Sequence, residues 1–190
     1  MRYEKGRRDA SRQRILQAAS ERFRADGIAA TGLSRVMQDA GLTNGAFYPH
    51  FQSKTELVRE SLAAALGAQA QQMAEILDAQ GLEGVIATYL SPEHRDNPQI
   101  GCAISALGAE LAREPPETRA VHFERAAALI KQVAAHMPPL AEAPEDRALA
   151  LFATLIGTLQ LARVADSAEM SDRILAIGRQ SARAQSLSAT

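Results

Sequence analysis

"TGLSRVMQDAGLTNGAFYPHFQSK", residues 31–54, decides how the rest of this chain is read. Leu33, Val36 and Met37 fall at the i, i+3, i+4 spacing of one buried helical face, so residues 33–40 read as a short helix. Gly41 supplies a tight turn, in which a positive φ costs nothing. Thr43 opens a third, very short helix with no periodic apolar face and with Phe47, Tyr48, His50 and Phe51 crowded together. Two short helices about a turn, behind a longer first helix, make the helix-turn-helix pattern. That pattern explains the crowding. Thr43 can cap the third helix and leave its first N–H groups to a phosphate. Asn44, Gly45 and Ala46 would face base edges, because asparagine pairs with adenine and small residues admit the backbone closely. Tyr48, His50 and Lys54 suit phosphate oxygens. Thr31 and Arg35 complete the candidate DNA-facing set. Phe47 and Phe51 would point the other way and pin this polar segment onto a small three-helix core.

Outward from this stretch the chain reads as all-α, since alanine and leucine dominate and β-branched runs are missing. Residues 9–25 form the first helix, with Ile15, Ala19 and Phe23 on its inner face and Gly27 ending it. Ser53 and Glu56 form a capping box that opens a long fourth helix, carried to about residue 79 by Val58, Leu62, Leu66, Met73 and Leu77. Periodic segments at 82–90, 99–114, 116–137, 145–164 and 168–185 bring the expectation to about nine helices, with prolines at the boundaries. The domains expected are a flexible arm (1–8), a helix-turn-helix DNA-binding domain (9–53), a helical effector-binding and dimerisation domain (54–185) and a tail (186–190). Charge divides along the same line. Residues 1–60 carry 11 Lys/Arg against 7 Asp/Glu, and residues 61–190 carry 10 against 15, as if a basic end meets an anionic partner.

"RQRILQAASERFRADG" and "AGLTNGAFYPHFQSKTEL" closely resemble the DNA-binding domain of the tetracycline-repressor (TetR) family of bacterial transcription factors. The resemblance covers residues 9 to about 62. Its departures are Gly32, where Thr or Ser is common, and Met37 in place of a usual alanine. It implies an all-helical homodimer that binds double-stranded operator DNA and carries a ligand pocket in its larger domain. It also implies a four-helix bundle between subunits, built here from 145–164 and 168–185 with Leu151, Leu155, Leu159, Ile174 and Ile177 at the interface. The uncharged run "ALALFATLIGTLQLA", residues 148–162, agrees: a helix apolar nearly all round needs covering from more than one side. A membrane span needs roughly 20 apolar residues, so this shorter, threonine-interrupted run is no anchor.

The segment "YLSPEHRDNPQIGCAISALGAELAREPPE" is similar to that of one subgroup of the same family. Gln69, Met73 and Leu77 of the long helix, with Tyr89, Cys102, Ser105, His122 and Phe123 opposite, are the candidate effector pocket, which suits a small, apolar effector. Because the long helix joins the two domains, the ligand is expected to act by biasing that helix. Cys102 is the single cysteine, which precludes an intramolecular disulfide and suits a reducing cytoplasm. It reads either as a buried small hydrophobe or as a thiol sensing oxidants or electrophiles. "HRD" at 94–96 is similar to a kinase catalytic loop, but the glycine-rich loop and metal-binding Asp motif are missing, and a capping or salt-bridge role suits it better. His94, His122 and His136 lack companions at ligand spacing, so no metal and no cofactor are expected. A Cys102–His94 enzyme would need a third group and an oxyanion site. A carrier of hydrophobic ligands would leave "AGLTNGAFYPHF" unexplained. The reading is therefore a ligand-responsive dimeric regulator, most simply a repressor.

Overall fold

The structure is a computed structural model that describes residues 2–139 and 143–187. Among these residues all regular structure is helical. Helices α1 (Arg2–Asp26) and α2 (Leu33–Asp39), a 3₁₀ turn (Asn44–Ala46) that we term the recognition turn, and the start of α3 (Lys54–Tyr89) build the N-terminal unit. The rest of α3 packs with α4 (Pro92–Asp96), α5 (Ala103–Leu111), α6 (Pro116–Ala134), α7 (Pro144–Arg163) and α8 (Ala168–Leu187).

Several boundaries differ from the sequence expectation, each for a local reason. Residues 2–8 are the first turns of α1 and not an arm, because arginine, lysine and glutamate sustain a helix and only Gly6 weakens it. The third helix is a single 3₁₀ turn, since Gly45 and Pro49 leave no room for a longer α segment. The long helix and the 82–90 segment join as α3 across a break at Gly81, whose φ of 63° and ψ of −159° suit a residue without a Cβ. Ser91 caps α4 by accepting from His94 N at 3.1 Å, with Pro92 at the first helical position. Residues 97–102 turn, so the helix expected over 99–114 is the shorter α5. Ser186 and Leu187 finish α8, and residues 188–190 of the expected tail lie outside the described residues.

The core of the N-terminal unit is Ile15, Ala19, Phe23, Val36, Met37, Phe47, Phe51, Leu57 and Leu62, each almost fully buried. Each large side chain there contributes about 1.5–3 kcal/mol relative to exposure. In α7, Ala148, Leu151, Leu155, Leu159 and Ala162 form one stripe against α6 and α8. Arginines close several helix ends, where carbonyls lack intrahelical partners. Buried Arg147 donates to Pro138 O at 2.8 Å and Ser186 O at 3.1 Å, and Arg179 donates to Leu90 O at 2.6 Å. Arg163 donates to His94 O at 2.9 Å and Arg95 O at 3.1 Å. The "HRD" segment is thus structural: Arg95 pairs with Asp96 at 2.7 Å and with Asp172 at 2.6 Å, tying α4 to α8.

Candidate nucleic-acid interface and effector pocket

The recognition turn is polar outward and anchored inward. Gly41, at φ 66°, reverses the chain after α2, and Thr43, Asn44 and Gly45 follow it exposed to solvent. Tyr48 is 74% exposed. Behind them the Phe47 and Phe51 rings stack at 5.7 Å and are buried. Asn44 donates to Ser34 Oγ at 3.1 Å, which ties the turn to α2. Ser53 accepts from Glu56 N at 3.1 Å, and the Glu56 carboxylate accepts from Gln52 N at 2.6 Å, so the capping box sets where α3 begins. Lys54 stands at its first position, half-buried. Arg35 is exposed and pairs with Asp39 at 3.5 Å.

Four members of the candidate DNA-facing set behave differently from expectation. Thr43 makes no side-chain cap bond and remains an exposed, extended residue. Ala46 is half-buried and packs on the core, so Asn44 and Gly45 carry the outer face of the turn. Thr31 is buried, with its hydroxyl donating to Gly27 O at 2.7 Å, and so closes the end of α1 instead of facing DNA. His50 is half-buried with Nδ1 enclosed, and burial, then Arg8 and Arg12, push its pKa down. The depressed pKa favours the neutral imidazole, beside the Phe51 ring, over a fixed cation for phosphate.

A cavity of about 250 Å³ opens in the larger unit between α3, α4, the start of α5, α6 and α7. Gln69, Met73, Tyr89 and Cys102 line it, as the sequence suggests, together with Ile76, His94, Leu129 and Phe152, which sequence reasoning missed. Leu77 is buried in the core and off the lining. Ser105 lies behind it, donating to Cys102 O at 2.9 Å. His122 is buried on α6 and also stands off the lining. Phe123 is 70% exposed: the inward stripe of α6 runs through His122, Ala126, Leu129 and Val133, and the next residue along turns away. That spacing, 122 to 129, was the available signal for Leu129.

His94 organises one wall. Its Nδ1 lies 2.7 Å from Tyr89 O, and Nε2 accepts from Cys102 N at 2.9 Å, an arrangement that requires the neutral, Nδ1-protonated ring. Burial accordingly pushes its pKa down. Gly101 has no alternative there, because a Cβ would stand 2.5 Å from the imidazole. The Tyr89 phenol is buried beside the Cys102 thiol and the Ser105 hydroxyl, without a well-formed hydrogen bond, and burial raises its pKa. The Gly101 carbonyl accepts from the Gln69 amide and from Arg24 of α1 at 2.7 Å. Glu110, at the far end of α5, accepts from Ala29 N at 2.8 Å. The two units therefore meet through α5 as well as through the long helix, which corrects the single-helix expectation.

Of the residues expected at a subunit interface on α7 and α8, three are already covered within the subunit. Leu151, Leu155 and Leu159 are fully buried within the subunit, because α8 and α6 already cover that stripe. The opposite side exposes Leu149, Leu161 and Val164, and α8 adds Met170 and Ile177. Ile174 is half-buried. Among the described residues no group of His, Cys, Asp or Glu is placed to hold a metal, and no helix is long and apolar enough to cross a membrane.

Comparison with known proteins bears on the same segments. The model of bacterial regulatory proteins of the tetR family matches residues 15–61. The HTH-type transcriptional regulator SrpR of Pseudomonas putida is 41% identical over 56 residues, which are 30% of this chain and 26% of that protein. Such matches span well under half the length of the first curated relatives. An uncharacterised HTH-type transcriptional regulator of Mycobacterium tuberculosis is 29% identical over 170 residues, 80% of this chain and 84% of that one. A TetR-family transcriptional regulator from Cytophaga hutchinsonii shares the fold, with a TM-score of 0.77 at 17% identity over 96% of this chain and 98% of that one.

Proposed function

We propose that the chain is a member of the TetR family of bacterial regulatory proteins, whose model matches residues 15–61, and on that premise that it is a cytoplasmic, dimeric, ligand-responsive transcriptional repressor. The observation that carries the proposal is the recognition turn, whose polar face at Asn44, Gly45 and Tyr48 is free while Phe47 and Phe51 hold it rigidly from behind. Such a surface reads base edges with Asn44 and positions itself on phosphates with Tyr48 and Lys54. A second subunit docks on the exposed apolar stripe of Leu149, Leu161, Val164, Met170 and Ile177. Two recognition turns then meet successive major grooves of a near-palindromic site. The effector occupies the cavity under α3. Its lining is mostly apolar and carries no lysine or arginine but one carboxylate, Glu93, which disfavours an anion and suits a small, largely apolar compound.

A second reading is favoured by one position: Cys102 lines that cavity at the start of α5, where modification of its thiol would push on the same wall as a reversible ligand. One assay separates the possibilities. Footprinting on the DNA flanking its own gene identifies the operator, and release is then followed with apolar compounds and with electrophiles, for the natural chain and for Cys102→Ser. Release of both proteins by a reversible apolar compound supports the main reading. Release by an electrophile from the natural chain alone supports the thiol reading. Failure to bind any duplex, with steep salt dependence absent, overturns the regulator itself.

A further inference from the structure

We propose that the Tyr89 hydroxyl selects the effector, and that the effector is a small, neutral, apolar compound bearing a hydrogen-bond acceptor such as a ketone oxygen. The inference rests on the effector-cavity reading above and narrows it. Tyr89 and Cys102 both line the cavity, and the phenol hydroxyl lies beside the Cys102 thiol, at the wall where α3 ends and α5 begins. Tyr89 is 6% exposed, and its hydroxyl has no hydrogen-bond partner among the described residues. Buried hydroxyls normally have one, so the exception needs a cause. The polar groups around it are already spent. Ser105 donates to Cys102 O at 2.9 Å, Cys102 N donates to His94 Nε2 at 2.9 Å, and His94 Nδ1 donates to Tyr89 O at 2.7 Å. A lone water would find too few further partners there, since it needs about two to four. One strong donor is left at the border of an apolar cavity.

The chemistry of the phenol says what it would take. Its oxygen lone pair is delocalised into the ring, so the group donates better than it accepts, and burial keeps the proton on by raising the pKa. The ring is also held in place beforehand. It packs edge-on to the His94 imidazole at 4.7 Å, and its own backbone carbonyl is the one that His94 grips. Little ordering therefore has to accompany binding. The lining carries Glu93 and no lysine or arginine, so a neutral oxygen suits the donor better than a carboxylate. A volume of about 250 Å³ exceeds the roughly 150 Å³ of an engineered cavity that takes benzene, which leaves room for one ring with a short carbonyl substituent.

The test titrates acetophenone and ethylbenzene, close in shape but with and without the oxygen, into the full chain and into Tyr89→Phe by calorimetry. The ketone gives up hydration that the hydrocarbon never had, so the quantity read is the affinity ratio of ketone to hydrocarbon, compared between the two proteins. That ratio should fall about tenfold in Tyr89→Phe, with the ketone losing affinity and the hydrocarbon binding at least as well as before. Melting should be unchanged or raised, because the variant removes a buried hydroxyl that lacks a partner. A second reading needs no variant: the carbonyl stretch of isotope-labelled acetophenone bound to the natural chain should lie below its value in cyclohexane. A ratio equal in both proteins within about twofold, or a stretch at the cyclohexane value, overturns the proposal and leaves the cavity as a purely apolar effector site. If neither compound binds the natural chain, the effector-cavity reading falls and this one with it.

Discussion

At the level of single residues, position on one short turn separates the exposed side chains proposed to meet DNA from the buried ones that hold the turn. Tyr48→Ala and Lys54→Ala should weaken binding to all duplexes, each by about 1 kcal/mol or more with unchanged melting, and loss of the Lys54 cation should also make the salt slope shallower. Asn44→Ala should instead relax sequence preference, with roughly 1–3 kcal/mol of discrimination at stake. Thr31→Ala makes the opposite control. Its hydroxyl closes the end of α1 by donating to Gly27 O, so the change should cost about 1 kcal/mol of stability, seen in denaturant midpoint, and leave the salt slope alone. His94 gives a pH signature. Burial holds its folded pKa below the ordinary 6.5, so the unfolded chain binds a proton that the folded site refuses. The contribution is complete above about pH 6.5 and is lost as pH falls toward the folded value. His94→Gln should flatten the acid limb of melting temperature against pH. His50 and His122, also depressed by burial, should keep some slope.

Among elements, α5 is the part whose displacement would be felt in both units. The residues that lead into it, Gly101 and the N-cap Cys102, border the cavity, and the Gly101 carbonyl holds both Gln69 and Arg24. Its trailing residue Glu110 grips Ala29 N, close to Gly27, where a Cβ would come within 2.8 Å of the carboxylate. On the proposed reading, a ligand that pushes on Gly101 would shift the C-terminal end of α1 through Arg24, and α1 would carry the shift to Pro49 through Arg8. Arg24→Ala should leave effector affinity of the free protein within about twofold, because Arg24 does not line the effector cavity, yet shrink the effect of effector on operator affinity. For a natural coupling of tenfold, about 1.4 kcal/mol, linkage requires that the operator weaken effector binding by the same factor. Calorimetric titration of effector with and without operator checks both quantities. Undiminished coupling in Arg24→Ala would assign the signal to α3 alone.

For the whole molecule, assembly turns on which face of α7 is already used. Leu161→Arg or Ile177→Arg, on the exposed side, should give a folded monomer with a near-natural melting temperature and no operator binding. Leu155→Arg, on the fully buried stripe, should unfold the chain, since an unpaired charge would enter the core at a cost of several kcal/mol. Light scattering and circular dichroism distinguish the two outcomes. A dimer that survives Leu161→Arg and Ile177→Arg together would place the subunit contact elsewhere.

The sequence by itself determined whatever depends on neighbours along the chain. The helix-turn-helix stands in Leu33, Val36 and Met37, the Gly41 turn and the Ser53–Glu56 cap, because periodicity, turn conformation and capping are local properties. The split between Phe47 and Tyr48 was legible for the same reason. Only the tertiary structure decided which side of an all-apolar helix the subunit keeps for itself. Leu151, Leu155 and Leu159 look no different in sequence from Leu149 and Leu161, and α6 and α8 alone choose between them. Thr31 left the DNA-facing set because a carbonyl of the preceding helix lies within reach of its hydroxyl. Phe123 left the pocket because α6 was rotated to bury His122 and Leu129. His94 entered it through bonds to Tyr89 and Cys102, made by a turn that no periodicity marks. Burial and partnership are set by which faces meet, and that depends on the packing of distant segments, which local sequence does not encode.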